Sequence, residues 1–333
     1  SPAFVAAYTT SPDLASSHST PTSYRQAMAS PDSAGWALAI NEELLAVQNA
    51  NVYKIVNINS LPATANLIGN TWVFKVKQNG DGSVERLKAR ITAKGCSQKH
   101  GVDYQESFAP VANSTTIRLV IYCLVQRRLV GRSFDVKTAF LYGELHDHER
   151  VYMRVPEGVP NRDPTTCWAL QKCLYGLRQS ARRFNEHLHN TLTTIGYTRS
   201  KHDPCLYHNI TKDSFTLLVI VVDDILMATT SDQIADEFLA AMRDTYNMKD
   251  LGRPKYTIGM HFEHSANGGY TISQRRYLND IISRFSDSNI PSATIPMPSA
   301  LRLTPTGSVS DPNSPPCDPT LYRSLVGSLM YAL

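Results

Sequence analysis

The side chains with the clearest chemical demand are Asp223 and Asp224, adjacent carboxylates between the apolar runs Phe215 to Val222 and Ile225 to Ala228. Two carboxylates this close resist ionising together, and apolar surroundings raise the cost. Such a pair either sits in a water-exposed turn, where Asp is a favoured residue, or draws a cation. Asp135 lies eighty-eight residues upstream in another apolar stretch, Ser133 to Leu141. It either caps a helix beginning near Lys137 or joins the pair. Three hard-oxygen donors suit Mg²⁺, which binds through a few carboxylates plus substrate phosphates. Two such ions about 3.5–4 Å apart activate a hydroxyl and stabilise a departing pyrophosphate.

A second group is cationic. Trp72, Phe74 and Val76 alternate with Val73, Lys75 and Lys77, then Asn79-Gly80-Asp81-Gly82 supplies turn chemistry, and Leu87, Ala89, Ile91 and Ala93 alternate with Lys88, Arg90, Thr92 and Lys94. Strand periodicity gathers Lys88, Arg90 and Lys94 on one face, with Lys75 and Lys77 as neighbours across the ladder. This is either a solvated polar face or a surface for an anion such as phosphate.

The elements that must carry these groups read as a mixture of hairpins and amphipathic helices, which favours an α+β fold over a doubly wound sheet. Trp36, Ile40, Leu44 and Val47 mark a helix with Asn41, Glu42 and Glu43 on another face and Pro31 at its first position. Further helices are expected over Ile117–Val130, Ala181–Gly196 (Gly196 as the stop), after Ser231-Asp232, and around Tyr277, Ile281 and Phe285. Residues 1–30, rich in Ser, Thr, Pro and Ala, read as a flexible tail, and the eight prolines of 291–319 as a linker or extended crossing segment.

The 333 residues carry 33 Lys+Arg against 29 Asp+Glu, a formal +4, which excludes a disordered polyelectrolyte or a collagen-like fibre. The balance is uneven: residues 51–132 hold twelve bases and four acids, while 133–265 hold fifteen and seventeen. A basic segment ahead of an acidic one is the layout that phosphoryl transfer on nucleic acid needs. No apolar stretch reaches the roughly 18 residues of a membrane span, and no secretory signal is visible. Six cysteines without a CxxC fit reduced thiols in a cytosolic setting. His202-x-x-Cys205-x-x-His208 has zinc-like spacing, but no fourth ligand accompanies it; His146 and His148 read as solvent-facing. Ser1 and the apolar run ending at Leu333 suggest a window cut from a longer chain.

Six motifs then appear in order: Trp72-Val-Phe-Lys-Val-Lys77, Lys88-Ala-Arg-Ile-Thr-Ala-Lys-Gly95, Asp103-Tyr-Gln-Glu-Ser-Phe-Ala-Pro-Val111, Asp135-Val-Lys-Thr-Ala-Phe-Leu141, Leu174-Tyr-Gly-Leu-Arg-Gln-Ser180 and Val222-Asp-Asp-Ile225. From about Trp36 onward the chain resembles the reverse transcriptase of copia-type LTR retrotransposon polyproteins. The resemblance implies a right-hand polymerase: a flexible tail (1–30), an N-terminal helix with fingers (31–132), a palm whose antiparallel sheet is backed by helices (133–265), and the start of a thumb and connection (266–333). It implies RNA- and DNA-templated DNA synthesis from a primer 3′-hydroxyl, with two Mg²⁺ (Mn²⁺ substituting) held by Asp135, Asp223, Asp224 and the Val136 carbonyl. Lys75, Lys88 and Arg90 would hold the incoming dNTP triphosphate. Phe140 would exclude a 2′-hydroxyl, with a core Phe as the alternative. Gly176 and Gln179 would lie against the nucleotide, with a plain turn for Gly176 as the alternative. Val221, Val222, Ser180 and Lys94 would face primer and template, with a helix-cap role equally open to Ser180. Implied partners are an RNA or DNA template–primer, dNTPs, and the rest of the polyprotein, with integrase upstream and RNase H downstream. No membrane is implied, and the implied setting is cytoplasmic, in a virus-like particle if the element is active. Val221 replaces a usual Tyr, Ala181 and Phe184 a usual Pro and Trp, and Thr257-Ile258-Gly259 a usual Phe-Leu-Gly. A decayed remnant that only binds nucleic acid, or a structural subunit, is the alternative function.

Overall fold

A computed structural model describes residues 20–78, 83–265, 269–285, 294 and 318–332. The expected Asn79–Gly82 turn and nearly all of the Pro-rich segment lie outside these residues. The helices are α1 (Tyr24–Ala29), α2 (Ser33–Asn49), α3 (Ser114–Gln126), α4 (Ser180–Thr194), α5 (Asp232–Arg243), α6 (Arg275–Phe285) and α7 (Pro319–Ala332). The strands are β1 (Tyr53–Asn57), β2 (Leu67–Ile68), β3 (Asn70–Gln78), β4 (Val84–Ala93), β5 (Val130–Val136), β6 (Tyr152–Arg154), β7 (Thr166–Leu170) and β8 (Thr198–Arg199). They continue with β9 (Leu206–Ile210), β10 (Phe215–Val221), β11 (Asp224–Thr229), β12 (Met248–Gly252), β13 (Tyr256–Thr257), β14 (Met260–His264) and β15 (Tyr270–Ser273). The class is α+β, as expected. Among the described residues, no helix is long and apolar enough to cross a membrane.

The described chain divides after Pro254 into two compact units. The first contains two hydrophobic clusters. One gathers Trp36, Ile40, Trp72, Phe74, Ile91, Met153 and Trp168, joining α2, the β3–β4 ribbon and the four-stranded sheet β1-β7-β6-β2. The other gathers Phe134, Val136, Phe184, Leu188, Ile225, Met227 and Phe238, where α4 and α5 back one face of the six-stranded sheet β12-β5-β11-β10-β9-β8. The second unit holds the β13-β14-β15 sheet with α6 and α7, tied by Tyr277 Oη donating to the Ser328 carbonyl (3.0 Å) and Tyr331 Oη to the Ile258 carbonyl (2.6 Å).

Several expectations are corrected. Residues 24–29 are a helix, not tail. Ser23 Oγ accepts from the Gln26 N–H while the Gln26 side chain accepts from Thr22, a close relative of the capping box, and Ala27 is buried. In α2 the cap is Asp32, so Pro31 precedes the helix. Glu43 lies on the buried stripe with Trp36, Ile40 and Val47 rather than on another face, because its carboxylate accepts the Ile91 N–H of β4 at 3.1 Å. The helix expected to reach Val130 ends at Gln126, because Arg128 turns to φ 51 and Val130 opens β5. Asp135 is therefore a strand residue and caps no helix; Thr138, at φ 53, precedes the one-turn 3-10 helix Ala139–Tyr142.

Candidate active site

Strand register assembles the acids. In β5, Asp135 stands opposite Asp224 of β11 on one side and Lys249 of β12 on the other. Asp224 in turn faces Val221 across the β10–β11 hairpin. Directly opposed residues of antiparallel strands share a face, so Lys249, Asp135, Asp224 and Val221 form one row. Alternation sends Phe134, Val136, Ile225 and Met227 to the other face, under α4 and α5. Helix α3 packs over the acid-bearing face at its far end, where a Cβ on Gly131 would meet Leu124 Cδ1 at 2.5 Å.

Val222 and Asp223 make the two-residue turn between β10 and β11. Val222 is exposed and adopts φ 58, a region that β-branched residues rarely enter. The Asp223 carbonyl accepts the Val136 N–H at 2.9 Å, which docks the turn onto the end of β5. Burial pushes the Asp223 carboxyl up; Asp135 adds to this, while its own backbone N–H, Arg90 and Lys88 oppose it. Asp224 is pushed up to about 7, first by burial and then by the charges of Asp223 and Asp135. Asp223 and Asp224, destabilised by burial and by neighbouring charge, with Asp135 opposite Asp224, have the donor chemistry that a divalent cation relieves. Among the described residues, however, no three His, Cys, Asp or Glu side chains converge as they stand on a single point.

The cations lie on the β3–β4 ribbon. Lys75 opposes Lys88, Val73 opposes Arg90 and Lys77 opposes Arg86, so Lys75, Lys77, Arg86, Lys88 and Arg90 share a face. Burial pushes the Lys88 ammonium down to about 8, with Arg90, Arg86 and Lys77 adding repulsion and Glu43 opposing it. Lys77 is lowered too, by burial first and then by the charges of Lys75, Arg90 and Arg86. Lys88 and Arg90 also oppose the rise of the Asp223 carboxyl, so their charges act within reach of the acids. Lys94 departs from the group: β4 has ended at Ala93, and Lys94 lies over Gly69 in a separate cleft with Arg154 and Arg162.

The segment Leu174–Ser180 joins the two. The Arg90 guanidinium stacks over the Tyr175 ring at 4.5 Å, and Phe140, half-buried, meets the same ring edge-on at 5.2 Å and Phe184 at 6.5 Å. Burial pushes the Tyr175 phenol up to about 12. The Ala93 N–H donates to the Tyr175 carbonyl at 2.7 Å. Gly176, at φ 87, presses on β4 so closely that a Cβ would collide with the Ala93 carbonyl, and a Cβ on Gly95 would collide with the Gly176 carbonyl. Gln179 and Ser180 face inward: the Gln179 amide accepts from Gln98 (3.1 Å) and donates to the Asp103 carbonyl (2.9 Å), and Ser180 Oγ donates to the Leu174 carbonyl (2.6 Å). At 0% and 2% exposure both side chains are buried and bonded within the loop. Tyr175 is the residue that sequence reasoning passed over. Its one signal in the sequence is its place before Gly176 in the Leu174–Ser180 motif.

A family model described as reverse transcriptase (RNA-dependent DNA polymerase) matches residues 50–299. The chain is 34% identical over 297 residues to the retrovirus-related Pol polyprotein from transposon RE1 of Arabidopsis thaliana, covering 89% of this chain and 20% of that protein. It is 32% identical over 321 residues to the corresponding polyprotein from transposon TNT 1-94 of Nicotiana tabacum, covering 94% of this chain and 24% of that protein. The chain thus spans between a fifth and a quarter of the length of these relatives. A foamy viral protease–reverse transcriptase solved with double-stranded DNA aligns with a TM-score of 0.39 at 10% identity, over 76% of this chain and 37% of that one.

Proposed function

Because the chain belongs to the reverse transcriptase (RNA-dependent DNA polymerase) family, we propose that it extends a primer 3′-hydroxyl with deoxynucleoside triphosphates on RNA and DNA templates. The observation that carries this reading is the opposition of three carboxylates, Asp135, Asp223 and Asp224, to a cationic ribbon face close enough to act on one of them. In this reading residues 31–132 act as fingers, 133–265 as palm and 266–333 as the start of a thumb.

Asp135, Asp223 and Asp224, with the Val136 carbonyl, would hold two Mg²⁺, which when bound lower the pKa of the primer hydroxyl and neutralise the departing pyrophosphate. The chain's own residues do the positioning. Lys75, Lys88 and Arg90 draw the triphosphate to the ribbon face, Arg90 as a planar fork suited to two phosphate oxygens. Phe140, braced by Tyr175, stands five residues after Asp135 where a bulky 2′-substituent would meet its ring. Val221 and Val222, flanking the acidic turn, lie where a primer end would approach. Gly176 serves by letting the loop reach β4. The rest of a Pol polyprotein, the template–primer and the dNTPs are the partners this reading requires.

Primer extension on RNA and DNA templates with Mg²⁺ tests it. The full chain should extend, and Asp223→Asn should abolish extension; incorporation by both proteins alike would sink the site assignment. A second reading, binding of template–primer without turnover, is favoured by Val221 opposite Asp224, where the resemblance leads one to expect Tyr. It predicts retained affinity for primer–template and no incorporation by the unmodified chain.

A further inference from the structure

We propose that Glu43 is a positioning residue for the triphosphate clamp, its buried carboxylate fastening the strand that presents Lys88 and Arg90; the functional part of this inference rests on the polymerase reading above. The geometry begins with α2 lying along β4. Near its start, Gly35 approaches so closely that a Cβ there would meet Leu87 Cδ1 at 2.8 Å. Eight residues on, Glu43 Oε1 accepts the Ile91 N–H at 3.1 Å. Eight helical residues rise about 12 Å, and the four strand residues from Leu87 to Ile91 span about 13 Å. The two fasteners are therefore matched in spacing, and helix and strand run side by side in the same direction.

The segment between the fasteners contains the clamp. Leu87, Ala89 and Ile91 point to the core, and alternation sends Lys88 and Arg90 to the other face. Fixing residues 87 and 91 fixes the direction in which 88 and 90 project. The ribbon is only two strands wide, with β3 on one side of β4, so between Leu87 and Ile91 the outer edge of β4 takes its support from α2, as the Tyr175 carbonyl supports it at Ala93. An acid on a buried helical stripe is costly unless its bond is made. At 7% exposure Glu43 is also, with Asp223, an acid whose charge reaches both Lys88 and Arg90. Its cost thus goes into holding the strand from which those two cations rise.

The test uses the full 333-residue chain, its Glu43→Ala and Glu43→Gln variants, and dTTP with poly(rA)–oligo(dT). Glu43→Ala should weaken dTTP, as equilibrium Kd and as KM, by about tenfold, the usual consequence of orphaning a buried donor. Its kcat and primer–template Kd should stay within about twofold of the unmodified chain, and the Ile91 amide should exchange with solvent at least about tenfold faster. Glu43→Gln keeps an acceptor and should restore both nucleotide affinity and amide protection. Unchanged dTTP affinity in Glu43→Ala, a Gln variant as impaired as Ala, or a parallel loss of primer–template affinity would each overturn the proposal. Equilibrium dTTP binding and amide exchange need no turnover. A chain that fails to polymerise therefore refutes the polymerase reading and leaves the role of Glu43 to be decided by these two measurements.

Discussion

Replacing Asp224 by Asn should make the metal-free protein more stable while abolishing any activity that depends on it. Asp224 sits opposite Asp135 and beside Asp223, and burial with these two charges lifts its carboxyl from an ordinary 3.8 to about 7. A rise of that size corresponds to about 4 kcal/mol against the ionised form. Asp224 keeps some solvent contact, and screening reduces the effect to roughly 2 kcal/mol. The sign follows from linkage: the folded pKa lies above the unfolded one, so the contribution of Asp224 to stability is present below pH 4 and lost as the pH rises towards 7. At pH 8 in EDTA, Asp224→Asn should therefore melt about 4–8 °C above the unmodified chain, taking the usual scaling for a unit of this size. The gap should narrow as the pH is lowered from 8 towards 4. Addition of Mg²⁺ at pH 8 should raise the melting temperature of the unmodified chain and leave the variant nearly unmoved. Differential scanning fluorimetry across this pH series measures all three. An Asn variant no more stable than the unmodified chain at pH 8 in EDTA would refute the claim that these carboxylates burden the fold.

Lys88, held down to about 8, loses its charge as the pH rises through that value, so the KM for dNTP should climb by about tenfold between pH 7 and 9; Lys88→Arg should flatten the profile. Phe140→Ala opens the space between Tyr175 and Phe184 and should raise ribonucleotide incorporation by at least about tenfold in a single-nucleotide extension assay; no change would return Phe140 to a packing role. Gly176→Ala forces φ 87 on an L-residue and drives a methyl into the Ala93 carbonyl, so denaturant unfolding should show a loss of about 2 kcal/mol or more.

The acidic hairpin was legible because both of its flanks are continuous apolar runs and only the tip is charged, a pattern few elements other than a buried hairpin can satisfy. The basic ribbon was legible for the opposite reason, a strict alternation with every cation on one side. What local sequence could not supply was register between distant strands. That Asp135 faces Asp224, and that Lys249 flanks it, is decided by which core faces pack together. Glu43 was misread although its spacing from Trp36, Ile40 and Val47 placed it on the buried stripe; its type argued for solvent, and its partner, a backbone N–H on another element, has no sequence signature. The capping pair Ser23 and Gln26 was visible, but the Ser, Thr and Pro around it masked a short helix anchored by a single buried Ala. For Gln179, whose motif implies a place beside the nucleotide, the hydrogen-bond partners Gln98 and Asp103 stand 81 and 76 positions away, beyond the reach of local pattern.

The cations and the acids belong to different hydrophobic clusters, one built around Trp36 and Trp168, the other around Phe134 and Phe184. Each cluster is close-packed within itself, whereas the distance between the two charged groups is kept by a seam where Tyr175 meets Phe140 and the Tyr175 carbonyl holds the end of β4. A seam with so few contacts is expected to open at a lower free-energy cost than either cluster, so warming should loosen it first. If the proposed polymerase reading holds, the protein would then lose its grip on nucleotide at a temperature where its helices and sheets are still intact. Storage and handling would have to be judged by nucleotide binding, since a circular dichroism spectrum would go on reporting a folded molecule.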